Sequence, residues 1–195
     1  MRIWDMPFLG TDVYHMVHWF LVYSMLGWVV ESIYMSLCNK KLTNRGFIHG
    51  PMCPIYGVGA LSVYFILRPL EGNWIALYFC GTILATTLEY ITAIVMQKIF
   101  GSIWWDYTNK PFNYKGILCL ESTIAWGFYT IILFMFLQKW VNGFVELYPR
   151  RIGVHIGIAL IAYYMIDFIV SLMEAINVNP YQALKLCMNK EADKE

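Results

Sequence analysis

The chain has 195 residues, 59% of them hydrophobic and 14% charged, with a formal net charge of +1. A mean hydropathy of +0.53 excludes a soluble globular protein, and the lack of a polybasic run excludes nucleic acid as a partner, which leaves an integral membrane protein in contact with lipids. Five cysteines, odd in number and without a C-x-x-C pair, argue against a disulfide framework or a zinc site, and no metal or cofactor is expected.

Residues 1–12 lack the apolar core and small-residue cleavage site of a signal peptide, so the first span is expected to stay in the mature protein. Apolar runs of about bilayer length cover residues 13–37, 55–67, 74–99, 117–137 and 153–176. They predict an all-α fold: one domain over residues 1–195, a polytopic transmembrane helical bundle of about five spans. The second run is short and follows Pro51 and Pro54, which predicts an irregular or re-entrant entry into it. Residues 69–73 form a tight turn, and Asn142-Gly143 and Pro149 punctuate the last connection. Beyond the fifth span, the tail 177–195 carries Asn179 as an N-cap and Pro180 at the first position of a short helix from Tyr181 to Asn189. With five spans, Lys and Arg divide five against nine between the two sides. The positive-inside rule then puts the first and third loops and the C-terminus in the cytoplasm of a cell-membrane protein.

Acids within these runs are the strongest functional signal. A carboxylate at the centre of a membrane helix costs roughly 2.5–3.5 kcal/mol, against about 0.3–0.6 kcal/mol returned by each large aliphatic residue. Glu31 shares a face with Ser24 and Gly27, and Glu89 lies on a small, hydroxylated stripe with Thr82, Ala85, Thr86 and Thr92. Asp167 shares a face with Ser171 and Glu174; Glu174, close to a helix end, reads as solvated. Glu121 falls in the first turn of its helix, where free N–H groups and the dipole favour an anion whether or not it has another role.

Residues 46–57 and 116–127 have the same length, begin and end in glycine, and align Tyr56 with Trp126. Each is preceded by an Asn (Asn44, Asn113), a basic residue (Arg45, Lys115) and a helix with one acid. Lying two spans apart, the copies would form a parallel repeat of helical hairpins; similar hydropathy alone also produces such matches. Either way the two polar loops share one side, and Asn44, Arg45, Trp104, Trp105, Asp106, Tyr107, Asn113 and Lys115 are placed to converge above Glu31 and Glu89. The aromatics suit an interfacial belt equally well, and Asp106 with Arg45 suits a loop-to-loop ion pair.

Three motifs carry a resemblance. Gly27-Trp28-x-x-Glu31, the run from Asn44-Arg45-Gly46-Phe47 to Pro54-Ile55-Tyr56-Gly57, and Trp104-Trp105-Asp106-Tyr107 with Asn113-x-x-Gly116-x-x-Cys119-Leu120-Glu121 resemble the bacterial ABC-transporter permease family of CmpB type, with the transmembrane protein 229 group as distant relatives. The resemblance implies a membrane transport component, a permease or substrate-binding subunit. The expected substrate site comprises Glu31, Asn44, Arg45, Glu89, Trp105, Asp106, Tyr107, Asn113, Glu121 and Asp167. No G-x-x-x-x-G-K-[ST] sequence is present, so ATP coupling would need a separate ATPase subunit, and so small a chain could also work as a homo-oligomer. Two alternatives stay open, an intramembrane enzyme acting on a lipid-linked substrate and a scaffold locked by its acids. For the enzyme no nucleophile-and-base pair stands out: His49 is a lone loop histidine, and His15 and His18 lie at the opposite end of the first helix.

Overall fold

A computed structural model describes residues 3–44, 46–101, 103 and 105–177. Five helices follow one another: α1 (Val13–Asn39), α2 (Pro54–Leu67), α3 (Trp74–Phe100), α4 (Leu120–Glu146) and α5 (Arg150–Asn177). All but α2 are long and apolar enough to cross a membrane. The chain is an all-helical, multi-span membrane protein, as the apolar runs predict. Two small antiparallel hairpins complete it among the described residues, β1 (Pro7–Phe8) with β2 (Thr11–Asp12) and β3 (Asn113–Tyr114) with β4 (Leu118–Cys119). The second of these shifts the fourth apolar run: residues 118–119 are extended in β4, α4 starts behind Cys119, and the helix continues past 137 and through Asn142-Gly143, expected as a break, to Glu146. The tail helix predicted at Tyr181–Asn189, together with Arg45 and Trp104, lies outside the described residues.

The ends of α1 and α3 follow their local chemistry. Asp12 and Asn73 cap the N-termini by accepting from the N–H groups of His15 (2.9 Å) and Ala76 (3.1 Å). At the other ends Lys40 and Gly101 take up left-handed backbone, which closes the last helical carbonyls onto the chain and stops the helix.

α2 is short because its chain turns back before becoming helical. After Lys40 the backbone returns alongside α1, burying Ile48, Gly50, Met52 and Cys53, until the Cys53 N–H reaches the Ser24 carbonyl at 2.9 Å. Ser24 and Lys40 are separated by roughly 24 Å of helix at 1.5 Å per residue, so residues 46–53 fold back along α1 as the irregular entry to α2 that Pro51 and Pro54 predict. The 14 residues of α2 span only about 21 Å, short of a hydrocarbon core of about 30 Å.

The two helical pairs α1–α2 and α3–α4 repeat one contact. Gly57 of α2 lies against Phe20 and Ser24 of α1, so closely that a Cβ would stand 2.2 Å from the Ser24 Oγ; Gly127 of α4 lies against Tyr78 and Thr82 of α3, where a Cβ would stand 2.5 Å from the Thr82 Oγ1. Counted back from Glu31 and Glu89, Phe20 matches Tyr78 and Ser24 matches Thr82. The match read from residues 46–57 and 116–127 therefore extends to one contact between helices.

α5 is pinned at both ends. At one, Arg150 bridges Asp5 and Asp12 (both 2.9 Å) and lies over the Tyr14 ring, while the buried His18 approaches the Gly153 carbonyl at 3.1 Å. Burial would raise the Asp12 carboxyl, but hydrogen bonds from the His15 N–H, Arg150 and the His15 ring outweigh it and hold Asp12 below its usual 3.8. Stability contributed by a depressed carboxyl is complete above the unfolded pKa and is lost as pH falls through the folded value. The thermal midpoint in detergent should therefore drop more steeply in the wild type than in Asp12→Asn as pH is lowered from about 5 to about 3. Parallel melting curves for the two proteins across that window would dismiss the clamp.

Candidate functional site

A cavity of about 250 Å³ lies between the two helical pairs. α1 contributes Tyr23, Leu26, Gly27, Val30 and Glu31; α2 contributes Ile55, Tyr56, Gly59, Ala60 and Val63; α3 contributes Ala85, Leu88 and Glu89. α4 closes the far wall from Trp126 to Leu137, and Trp105 and Tyr107 cover it from the loop before β3. The π turn at Leu133–Leu137 falls in this wall, and such turns are frequent at functional positions.

The polar groups gather at one end. The Tyr56 hydroxyl donates to Glu31 at 2.8 Å. Glu89, 6% exposed, receives the Trp126 indole N–H at 2.9 Å and the Tyr107 hydroxyl at 3.1 Å. Burial first, then the Glu89 carboxylate, pushes the Tyr107 hydroxyl up, so it keeps its proton and serves as a donor. Both donors to Glu89 are neutral, and among the described residues no Lys, Arg or His forms an ion pair with it. Tyr56 and Trp126 approach across the cavity with ring centroids 6.1 Å apart. At the other end Tyr23 donates to the buried Gln138, whose Nε2 has no partner.

The structure brings together only part of the predicted set. Glu31, Glu89, Trp105 and Tyr107 line the cavity. Asp106 and Asn113 build the loop that presents the last two. Asp106 accepts from the Thr108 N–H, while Asn113 bonds the carbonyls of Thr108 and Lys110 and the Gly116 N–H. The Trp105 N–H to the Ile117 carbonyl (2.8 Å) then fixes the indole. Asn44 joins the Trp28 indole N–H to the His49 carbonyl inside the first loop. Glu121 faces outward, 2.7 Å from Lys110. Arg45 lies outside the described residues.

Asp167 is away from the cavity. It accepts the backbone N–H groups of His49 (3.2 Å) and Gly50 (2.7 Å) and the His49 Nδ1 (3.1 Å). Ser171 Oγ is also 3.1 Å from that Nδ1, and Glu174 is 3.1 Å from Nε2. A serine relay needs a ring nitrogen free to take the hydroxyl proton, yet an unprotonated Nδ1 here would confront the Asp167 carboxylate without a hydrogen between them. The cluster ties the first loop to α5 and builds no nucleophile.

Tyr56 and Trp126, absent from the predicted set, supply direct donors to the two acids. Their signal was the alignment of residues 46–57 with 116–127, which superposes these two aromatics.

Among known proteins, the family model described as Putative ABC-transporter type IV (ABC_trans_CmpB) matches residues 18–172. No curated protein and no solved structure matches the chain.

Proposed function

The chain belongs to the Putative ABC-transporter type IV family, and we propose that it is a transport component whose substrate enters the cavity between the two helical pairs. One observation carries this reading: Glu89 is buried at the cavity wall, held by neutral donors and without an ionic partner among the described residues. A buried carboxylate that carries its charge needs a compensating cation. Here the compensation of Glu89 is left to what the cavity receives. The loops carrying Trp105 and Tyr107 face the cytoplasm in this reading, by the Lys and Arg imbalance, and a separate ATP-hydrolysing subunit supplies the energy.

The test is made in cells. The tagged protein, extracted gently from its own membrane, is weighed by native mass spectrometry, and solute uptake and export are compared among wild-type, deletion, Glu31→Gln and Glu89→Gln strains. A stoichiometric ATPase partner and a flux lost in the deletion and in both variants, with normal protein levels, is the expected result. Unchanged fluxes with an altered lipid profile would overturn transport in favour of a lipid enzyme.

A further inference from the structure

We infer that the cavity takes an amphipathic organic cation, a substituted amine or quaternary ammonium seated between Glu31 and Glu89 with its apolar part along Leu26, Val63 and Leu133. The inference rests on the transport reading and adds the class of cargo.

Three features of the cavity converge on it. The first is charge. Glu89 at the polar end has no cationic partner among the described residues, and Glu31 lines the same end with the Tyr56 hydroxyl as one of its partners. An anionic cargo would add a like charge in a low-dielectric space, whereas a cation supplies the missing compensation. The Trp126 N–H can only donate, so it matches the carboxylate as an acceptor and leaves the remaining lone pairs of Glu89 for the cargo.

Ring chemistry is the second. Tyr56, Trp105, Tyr107 and Trp126 line the same end as the acids, and aromatic side chains attract alkylated ammonium groups through the negative faces of their rings. A hard metal ion fits poorly: it asks for six or more oxygens, while this end offers two carboxylates among N–H donors and rings.

The third is the wall and its opening. Away from the acids the lining is mostly aliphatic, with Tyr23, Tyr129 and Thr130 among it, and Val30, Ile55 and Tyr129 are 52%, 38% and 49% exposed. The cavity thus opens sideways, on a surface made of apolar helix positions, where an apolar tail can remain in lipid while the charged nitrogen goes inward.

The experiment uses the full chain in nanodiscs of zwitterionic lipid, with decyltrimethylammonium as probe, decyl sulfate as its anionic counterpart and empty nanodiscs as the partition control. Binding is read from the fluorescence of the chain's eight tryptophans. Saturable quenching by the cation, absent with the sulfate and weakened about tenfold or more in Glu89→Gln and in Glu31→Gln, is expected. A thermal melt confirms that each variant is folded, and one folded variant suffices. Equal binding of decyl sulfate, no saturable binding of the cation, or full affinity in a folded variant overturns the inference. A cellular flux that still depends on Glu89 despite such a failure would leave the transport reading standing and remove only the cation.

Discussion

Gly57→Val should lower the apparent thermal midpoint in detergent by roughly 6–12 °C, the equivalent of about 3 kcal/mol in a chain of this size. A Cβ at position 57 would stand 2.2 Å from the Ser24 Oγ and 2.7 Å from both a ring carbon and the backbone carbonyl oxygen of Phe20. The serine hydroxyl can rotate away, but the helical carbonyl cannot, so α2 has to move off α1. That movement stretches the 2.9 Å bond between the Cys53 N–H and the Ser24 carbonyl, which anchors the chain's return into the membrane. Small residues at such crossings let helices approach, and van der Waals packing in lipid depends on that approach. Gly143→Ala is the matched control: a Cβ there meets nothing within 4 Å, and alanine improves a helix by about 0.5–1 kcal/mol. Equal midpoints for the two variants would mean that the α1–α2 crossing contributes little.

Asp167→Ala should release the first loop from α5. The substitution leaves the His49 and Gly50 N–H groups without their acceptor, and Gly50 is buried. Removing the partner of a buried donor costs about 1–3 kcal/mol, more when that partner was charged. Hydrogen–deuterium exchange should therefore accelerate by about tenfold or more over residues 46–53, with α4 unchanged. Asp167→Asn retains one acceptor oxygen and should fall between. Continued protection of residues 46–53 in Asp167→Ala would assign the anchoring to other contacts, such as those of Phe47 with Phe100 and Phe168.

What could be read from the sequence followed from periodicity and cost. Continuous apolar runs give helices, the prolines at 51 and 54 mark the irregular entry to α2, and acids inside the runs had to face protein, which placed Glu31 and Glu89 at the cavity. The partners of the remaining polar residues were not legible, because they depend on how loops fold back in three dimensions. Asp106 has a turn partner two residues away in Thr108, Glu121 meets Lys110 across the loop, and Asp167 meets His49, 118 positions earlier. An acid's spacing along a helix fixes its face but not which loop comes to meet it.

The tie between Asp167 and the first loop also sets an order of events during synthesis. The Gly50 N–H and its acceptor are 117 positions apart. At about 5–20 residues per second, the ribosome takes roughly 6–23 s to cover that distance. Once Leu67 is made, and for the rest of that interval, α1 and α2 are complete but the backbone between them lacks the carboxylate that satisfies it in the finished protein. The nascent chain therefore has to hold residues 46–53 near the aqueous interface, or in the care of the insertion machinery, until α5 arrives. A ribosome stalled before residue 167 would carry a first loop whose His49 and Gly50 N–H groups still lack their acceptor.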